Sequence, residues 1–243
     1  MFQFKARCLF VGFWACFWLC STVMSAVLYQ TDFEGDTLGA IPKGWVHVLG
    51  PEADAGIQQD PQDANNKVFA TLAPPSDTNQ KYAVQALGEL ADLAVEWDWL
   101  FTEDTYNNMG FRYQENAHYY QLSRRPGGGE VNMYAQDSGW QDLSVGNAYV
   151  TVLDKWYRAQ LILKGDTFTF KIKEKSDDTP FFEIDPLTTA EDGRYQKGLF
   201  LTDRADNIDN LIIAETVEDI LAAAAVNPSG KLTLTWGALK TAP

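Results

Sequence analysis

Beyond residue 20 the chain contains no cysteine, since Cys8, Cys16 and Cys20 account for all three. A mature domain without thiols has no disulfide, no thiolate nucleophile and no cysteine metal site. Histidine is almost as scarce. Only His47 and His118 occur, and without a Gly-x-Ser-x-Gly elbow the sequence offers no serine triad. Gly127 to Gly129 of the run RPGGG lack a strand–helix context and a P-loop lysine, so they do not read as a phosphate loop. Positive charge is also short: 19 Lys and Arg face 33 Asp and Glu, a formal net charge of −14. So acidic a surface repels phosphate instead of releasing counterions from it, which argues against nucleic acid and anionic membranes as partners.

The long apolar run is confined to the beginning. Lys5 and Arg7 precede an uncharged stretch from Cys8 to Thr31 that opens CLFVGFWACFWLC and passes through Ser21, Thr22, Ser25 and Ala26. This is the pattern of a secretory signal ending near Ser25 or Ala26. An uncleaved anchor is the alternative, since the stretch has the length for a span of about 20 residues. Cys16 and Cys20 follow bulky Phe13 and Phe17 by three residues, which does not suit a lipoprotein signal. Residues 1–25 are thus expected to be a signal peptide, 26–215 one β-sandwich domain, and 216–243 a C-terminal helix and tail. Without the signal, 17 basic residues face 33 acidic ones, a net charge of −16, and six tryptophans remain. A secreted domain with no covalent staple must rest on its own core.

Leu93 to Phe101, LAVEWDWLF, organises the remainder. Its odd positions are large and apolar, while Glu96 and Asp98 lie between them on the other face. That is the period of a half-buried strand holding two carboxylates toward solvent. Asn108 to Tyr113 is expected to pair with it as a hairpin across EDTYNN. KVFATL and YAVQAL alternate as strands around PPSDTNQ, and Gly50 to Asn66 reads as loop. HYYQLSR is a further strand, placing Tyr120 and Leu122 on one face and Tyr119 and Gln121 on the other. In the clearest hairpin, WYRAQLILK and DTFTFKIK flank Gly165. Tyr157, Ala159, Leu161 and Leu163 face inward there, opposite Phe168, Phe170 and Ile172. GLFLTD and DNLIIAE close the pattern. Thr216 caps a short helix, VEDILAAAAV, which Asn227-Pro228-Ser229-Gly230 stops. The tail KLTLTWGALKTAP is a packed appendage or a docking segment for a cell-envelope partner. Many short alternating strands with almost no helix describe an all-β antiparallel sandwich.

The succession TDFEG…GW, VEWDW…NNMGFRY, HYYQLSR, KWYRAQLILKGDTFTFKIK and KGLFLTDRADNIDNLIIAE resembles the concanavalin A-like lectin/glucanase jelly roll. Within it, the chain is similar to LamG-like domains and to the family linked with 3-keto-disaccharide hydrolysis. The resemblance spans roughly Leu28 to Glu215 and marks fold more than function.

The resemblance carries two expectations about sites. Glycosidases of this fold use an E-x-D-x-E type strand motif, in which retaining hydrolysis needs two carboxyl groups about 5 Å apart. Glu96 matches the nucleophile and Asp98 the tuning acid, but the third position is Leu100 or, with a bulge, Phe101, and Glu103 comes too late. The missing proton donor is worth about 10² to 10⁴ in rate, so the two carboxylates read as ordinary solvent-facing groups. Many relatives also hold a structural Ca²⁺, which would fall here on Asp32, Glu34, the Gly35 backbone and Asp209. Oxygen ligands in a flexible shell suit calcium, although DFEGD and RADNIDN are equally ordinary turn sequences.

Sugar binding needs flat aromatic faces beside polar groups. Trp140 and Tyr106 fall in polar loops, and Arg112, Arg124, Tyr119, Gln121 and Glu96 project from strands around a groove that His118 also reaches. The reading that results is a secreted, extracellular or cell-surface carbohydrate-binding or adhesion module without catalysis of its own, partnered by a glycan or polysaccharide. A periplasmic location fits the same signal. The alternatives are a laminarinase-like or 3-keto-disaccharide hydrolase-like enzyme centred on Glu96 and Asp98, and a structural surface domain.

Overall fold

The structure, a computed structural model, describes residues 26–49, 55–71, 81–115, 118–124, 131–143, 149–183, 187–188, 194–203 and 207–226. The expected signal, the RPGGG loop and the tail beyond residue 226 lie outside these residues. In chain order the strands are β1 (Val27–Thr31), β2 (Trp45–Leu49), β3 (Ala55–Gln59), β4 (Lys67–Thr71), β5 (Lys81–Val84), β6 (Leu93–Leu100), β7 (Asn107–Glu115) and β8 (His118–Arg124). They continue with β9 (Val131–Asp137), β10 (Trp140–Asp142), β11 (Trp156–Lys164), β12 (Thr167–Glu174), β13 (Phe182–Glu183), β14 (Leu187–Thr188), β15 (Leu199–Asp203) and β16 (Asn207–Ala214), before helix α1 (Val217–Val226).

These strands make two antiparallel sheets. The larger runs β13-β12-β11-β6-β16-β4-β3, with β1 also on β16 and β14 on β12. The smaller runs β10-β9-β8-β7-β15-β5-β2. The β11–β12 hairpin forms as its alternation requires, with Leu161 opposite Phe170 and Leu163 opposite Phe168, and Gly165 turns at φ 55°. A side chain at that angle would be strained. Between the sheets, Trp97, Trp99, Phe101, Phe111, Tyr120, Phe168 and Phe170 pack as one core. The Phe168 ring touches those of Phe111 at 5.1 Å and Tyr120 at 4.9 Å, linking the sheets. Each such ring contributes roughly 1.5 to 3 kcal/mol by leaving water.

Three expectations are overturned. First, β6 and β7 do not form a hairpin. β6 lies between β11 and β16, while β7 lies between β8 and β15 in the other sheet, so the EDTYNN link arches over the core. Second, the segment expected to be loop contains β3, which pairs with β4 from Ala55↔Thr71 to Gln59↔Lys67. Third, the outer face of β6 is not solvated. Helix α1 covers one end of it, packing Ile220 against Ala94, Ile212 and Ala214, and Asp98 is fully buried. The helix itself starts as expected, with the Asp219 N–H donating to Thr216 Oγ1 at 3.2 Å.

Candidate functional site

Directly paired residues of an antiparallel ladder point to the same side, so the register of β7 to β10 defines what the outer face of the smaller sheet presents. One row is Asn108, Ser123 and Asn132, and the next is Gly110, Gln121, Tyr134 and Asp142. A third row is Tyr119, Gln136 and Trp140. Trp140 stands on the short edge strand β10, not in a loop, and is 49% exposed. Its ring meets Tyr119 at 6.0 Å and 84°, and Tyr134 at 5.6 Å and 76°. The three rings therefore make a corner, edge against face. Beside it, the amide oxygens Gln121 Oε1 and Gln136 Oε1 are buried and accept no hydrogen bond. The corner continues inward over Tyr113, Ala83 and Leu201, which form an apolar cluster with Tyr119. Lys81 Nζ sits 5.3 Å from the Tyr119 ring centre.

Of the six ligand-binding candidates, the fold brings Trp140, Tyr119 and Gln121 together on this face, but Trp140 alone of the three is exposed, while Tyr119 and Gln121 are buried. Arg112 and Arg124 go elsewhere. Regular alternation would place Arg112 outward with Gly110, but β7 is bulged between Phe111 and Glu115 and Arg112 takes φ 51°. A bulge re-aims a side chain. The guanidinium turns inward and donates from Nε to Ala91 O at 3.2 Å, from Nη1 to Tyr195 O at 3.2 Å and from Nη2 to Gly165 O at 2.7 Å. Arg124 lies on the core side of β8, fully buried, with Nη2 on the Tyr149 carbonyl. Tyr106 is exposed but precedes the start of β7, about 20 Å along the strand from the Tyr119 row at the usual rise. Sequence reasoning missed Tyr134, Gln136 and Asp142. Their signal was present, because Val131, Met133 and Ala135 alternate inward and leave Asn132, Tyr134 and Gln136 outward.

His118 stands at the margin of the corner, its Nδ1 against Glu115 and its Nε2 3.7 Å from Asp137. Asp137 in turn accepts from Arg194 Nη1 at 3.0 Å.

Glu96 and Asp98 belong to the larger sheet and face the opposite side of the sandwich. Asp98 is ion-paired within the protein. Arg158 Nε donates to its Oδ1 at 2.8 Å and Nη2 to its Oδ2 at 3.2 Å, while Lys175 Nζ lies 2.7 Å from Oδ2. Glu96 Oε2 accepts from Gln160 Nε2 at 3.1 Å. Burial pushes the Glu96 carboxyl above its ordinary range, against the opposing pull of Arg158.

The three metal candidates, Asp32, Glu34 and Asp209, line one open cleft of about 660 Å³ at the end of the larger sheet, beside Asp60, Asp63 and Lys175. Each already accepts hydrogen bonds within the chain, Asp32 Oδ1 from the Glu34 N–H at 3.2 Å. Asp209 takes three N–H groups: Asn210 N at 2.7 Å, Asn210 Nδ2 at 3.0 Å and Asn66 Nδ2 at 3.1 Å. Burial, only partly offset by these bonds, raises its carboxyl to about 7. Glu34 Oε1 accepts the Lys67 N–H at 3.1 Å. Among the described residues, no three acidic or histidine side chains converge to hold an ion. Calcium takes six to eight oxygens at about 2.3 to 2.6 Å, and the hydrogen bonds that these acids accept would have to yield to it.

No protein-family model and no curated protein matches the chain. Solved structures do. Domain 4 of AbnA, an extracellular GH43 arabinanase from Geobacillus stearothermophilus solved with arabinotriose, is 12% identical, with 78% of this chain and 92% of that domain covered at TM-score 0.50. The GH43 protein BlXynB of Bacillus licheniformis is 10% identical over 77% of this chain and 39% of its own, also at 0.50. The carbohydrate-binding module CBM66 of Bacillus subtilis is 17% identical over 70% and 92%, at 0.46. Likeness at such identities is likeness of fold, and the chain shares with these domains a sandwich of two antiparallel sheets.

Proposed function

We propose that this protein is a secreted carbohydrate-binding module that holds a neutral glycan on the outer face of its smaller sheet. The carrying observation is half-exposed Trp140, held edge to face on Tyr119 and Tyr134 at the rim of that face. Sugar rings offer C–H faces that stack on an exposed indole such as Trp140. The acidic side chain on the same face, Asp142, and the net charge of −14 favour neutral glycans over uronate or sulfated ones. The segment 1–25 supplies secretion in this reading.

The test is a glycan array with the full mature chain, followed by titration of any ligand found. Trp140→Ala is expected to weaken binding at least tenfold, about 1.4 kcal/mol or more, at unchanged melting temperature. Binding equal to wild type in that variant would move the site elsewhere. A second reading, hydrolysis, has one observation in its favour: burial raises the Glu96 carboxyl from its ordinary value, which suits a general acid and not the nucleophile that the resemblance implied. Release of reducing sugar that disappears in Glu96→Gln would establish it. Because Glu96 faces away from the aromatic corner, that result would also separate the two readings.

A further inference from the structure

At the N-terminal turn Asp32–Asp36, the cation present is an ammonium of the chain itself. Lys67 Nζ donates to the main-chain oxygens of Glu34 at 2.8 Å and Asp36 at 2.7 Å, and the Lys67 N–H donates to Glu34 Oε1. One residue thus engages two carbonyls and a carboxylate of one short turn, the kind of oxygen set that a divalent ion otherwise gathers. The neighbouring residue extends the same logic. Asn66 Nδ2 donates to Asp60 Oδ2 at 3.2 Å and to Asp209 Oδ2. Asn210 Nδ2 bridges Asp209 Oδ2 and Asp98 Oδ2, the latter at 2.8 Å. A metal entering at Asp209 would first have to displace the N–H groups of Asn66 and Asn210 now bonded to its oxygens.

We propose that Lys67 is the structural cation of this sandwich and that it makes the fold independent of calcium. Its position suits the task. Lys67 opens β4 opposite Gln59 of β3, so its backbone is fixed by the sheet. The turn it holds carries Phe33 at φ 57°, fully buried against Trp45 at 6.0 Å and Phe69 at 6.4 Å. A bulky residue in the left-handed region persists only where its surroundings over-determine it. Lys67 supplies such a restraint by fixing the carbonyls on the C-terminal side of Phe33. This inference stands apart from the glycan reading.

The experiment is thermal unfolding of the full chain in excess EDTA and in millimolar Ca²⁺, with calorimetric titration of Ca²⁺ into the chelated wild type. Wild type is expected to melt at the same temperature in both and to show no calcium heat. Lys67→Met is expected to melt about 5 °C or more lower in both. Lys67→Glu, which turns the ammonium into a further carboxylate, is expected to be destabilised in EDTA and rescued by Ca²⁺. A wild-type melting temperature that falls in EDTA, or a stoichiometric calcium heat, would overturn the proposal. So would Lys67→Met melting like wild type, or Lys67→Glu indifferent to calcium. Should either variant fail to fold, the wild-type melts and titration decide alone.

Discussion

Arg112 shows how much one residue's conformation decides. In the run NMGFRY its parity points outward, but a left-handed φ inside a bulge sends it to three backbone carbonyls on other segments. Arg112→Ala leaves those acceptors unpaired and should cost about 3 kcal/mol, read as a shifted urea midpoint. Arg112→Lys should be nearly as damaging, since a point cation cannot span three acceptors. Glycan affinity of the folded fraction should not change, and weak binding at normal stability would return Arg112 to the groove. Asp209 makes a second residue-level prediction. Its native carboxyl is raised to about 7 from an ordinary value of 3.8, so between those values the native state binds more protons than the unfolded one. Stability from this group therefore falls as pH rises from about 4 to about 7, and the cost is fully present above that. Asp209→Asn should flatten this slope in denaturation curves at pH 5 and 8, and an unchanged slope would exclude Asp209 as its source.

At the scale of elements, the strands that read most clearly are those whose two faces differ. β12 alternates cleanly because one face meets the core and the other water, and β11 does so except at buried Gln160. β6 had the same alternation but is buried on both faces, since α1 and the Arg158–Asp98–Lys175 ion pairs cover the outer one. Ile220→Ala should uncover that apolar patch and cost about 2 to 4 kcal/mol without altering glycan binding. The crossing of β7 by residue 198 is tighter. A Cβ at Gly198 would lie 2.3 Å from the Arg112 carbonyl carbon and 2.6 Å from the Tyr113 nitrogen, both backbone. Gly198→Ala should therefore destabilise by roughly 2 kcal/mol or more. A variant that melts like wild type would mean that the β7 bulge yields easily.

On the scale of the whole molecule, the two sheets turn their outer faces in opposite directions, and each carries different chemistry. The smaller sheet offers the exposed Trp140 ring at its edge, while the end of the larger offers a cleft of acids in which Asp209 is bonded by Asn66 and Asn210. With a net charge of −14, binding to the aromatic corner should be nearly insensitive to salt for neutral polysaccharides. Sulfated or uronate polymers should not bind at low ionic strength, where repulsion is strongest. Retention on heparin under those conditions would contradict the assignment of a neutral ligand.

The amino-acid pattern by itself determined the class of the fold, the β11–β12 hairpin, the inward set of β6 and the capped helix at Thr216. Period-two alternation, turn residues and caps are local, and the chain states them within a few residues. Tertiary structure decided which sheet each strand joins, because the pairing of β6 with β11 and β16 spans long sequence separations that alternation cannot encode. It also decided the fate of the charges. Arg112 left the predicted groove through a bulge, and Asp98 was withdrawn from solvent by Arg158 and Lys175. Asp209 met Asn66 and Glu34 met Lys67, partners that only folding brings within hydrogen-bonding distance.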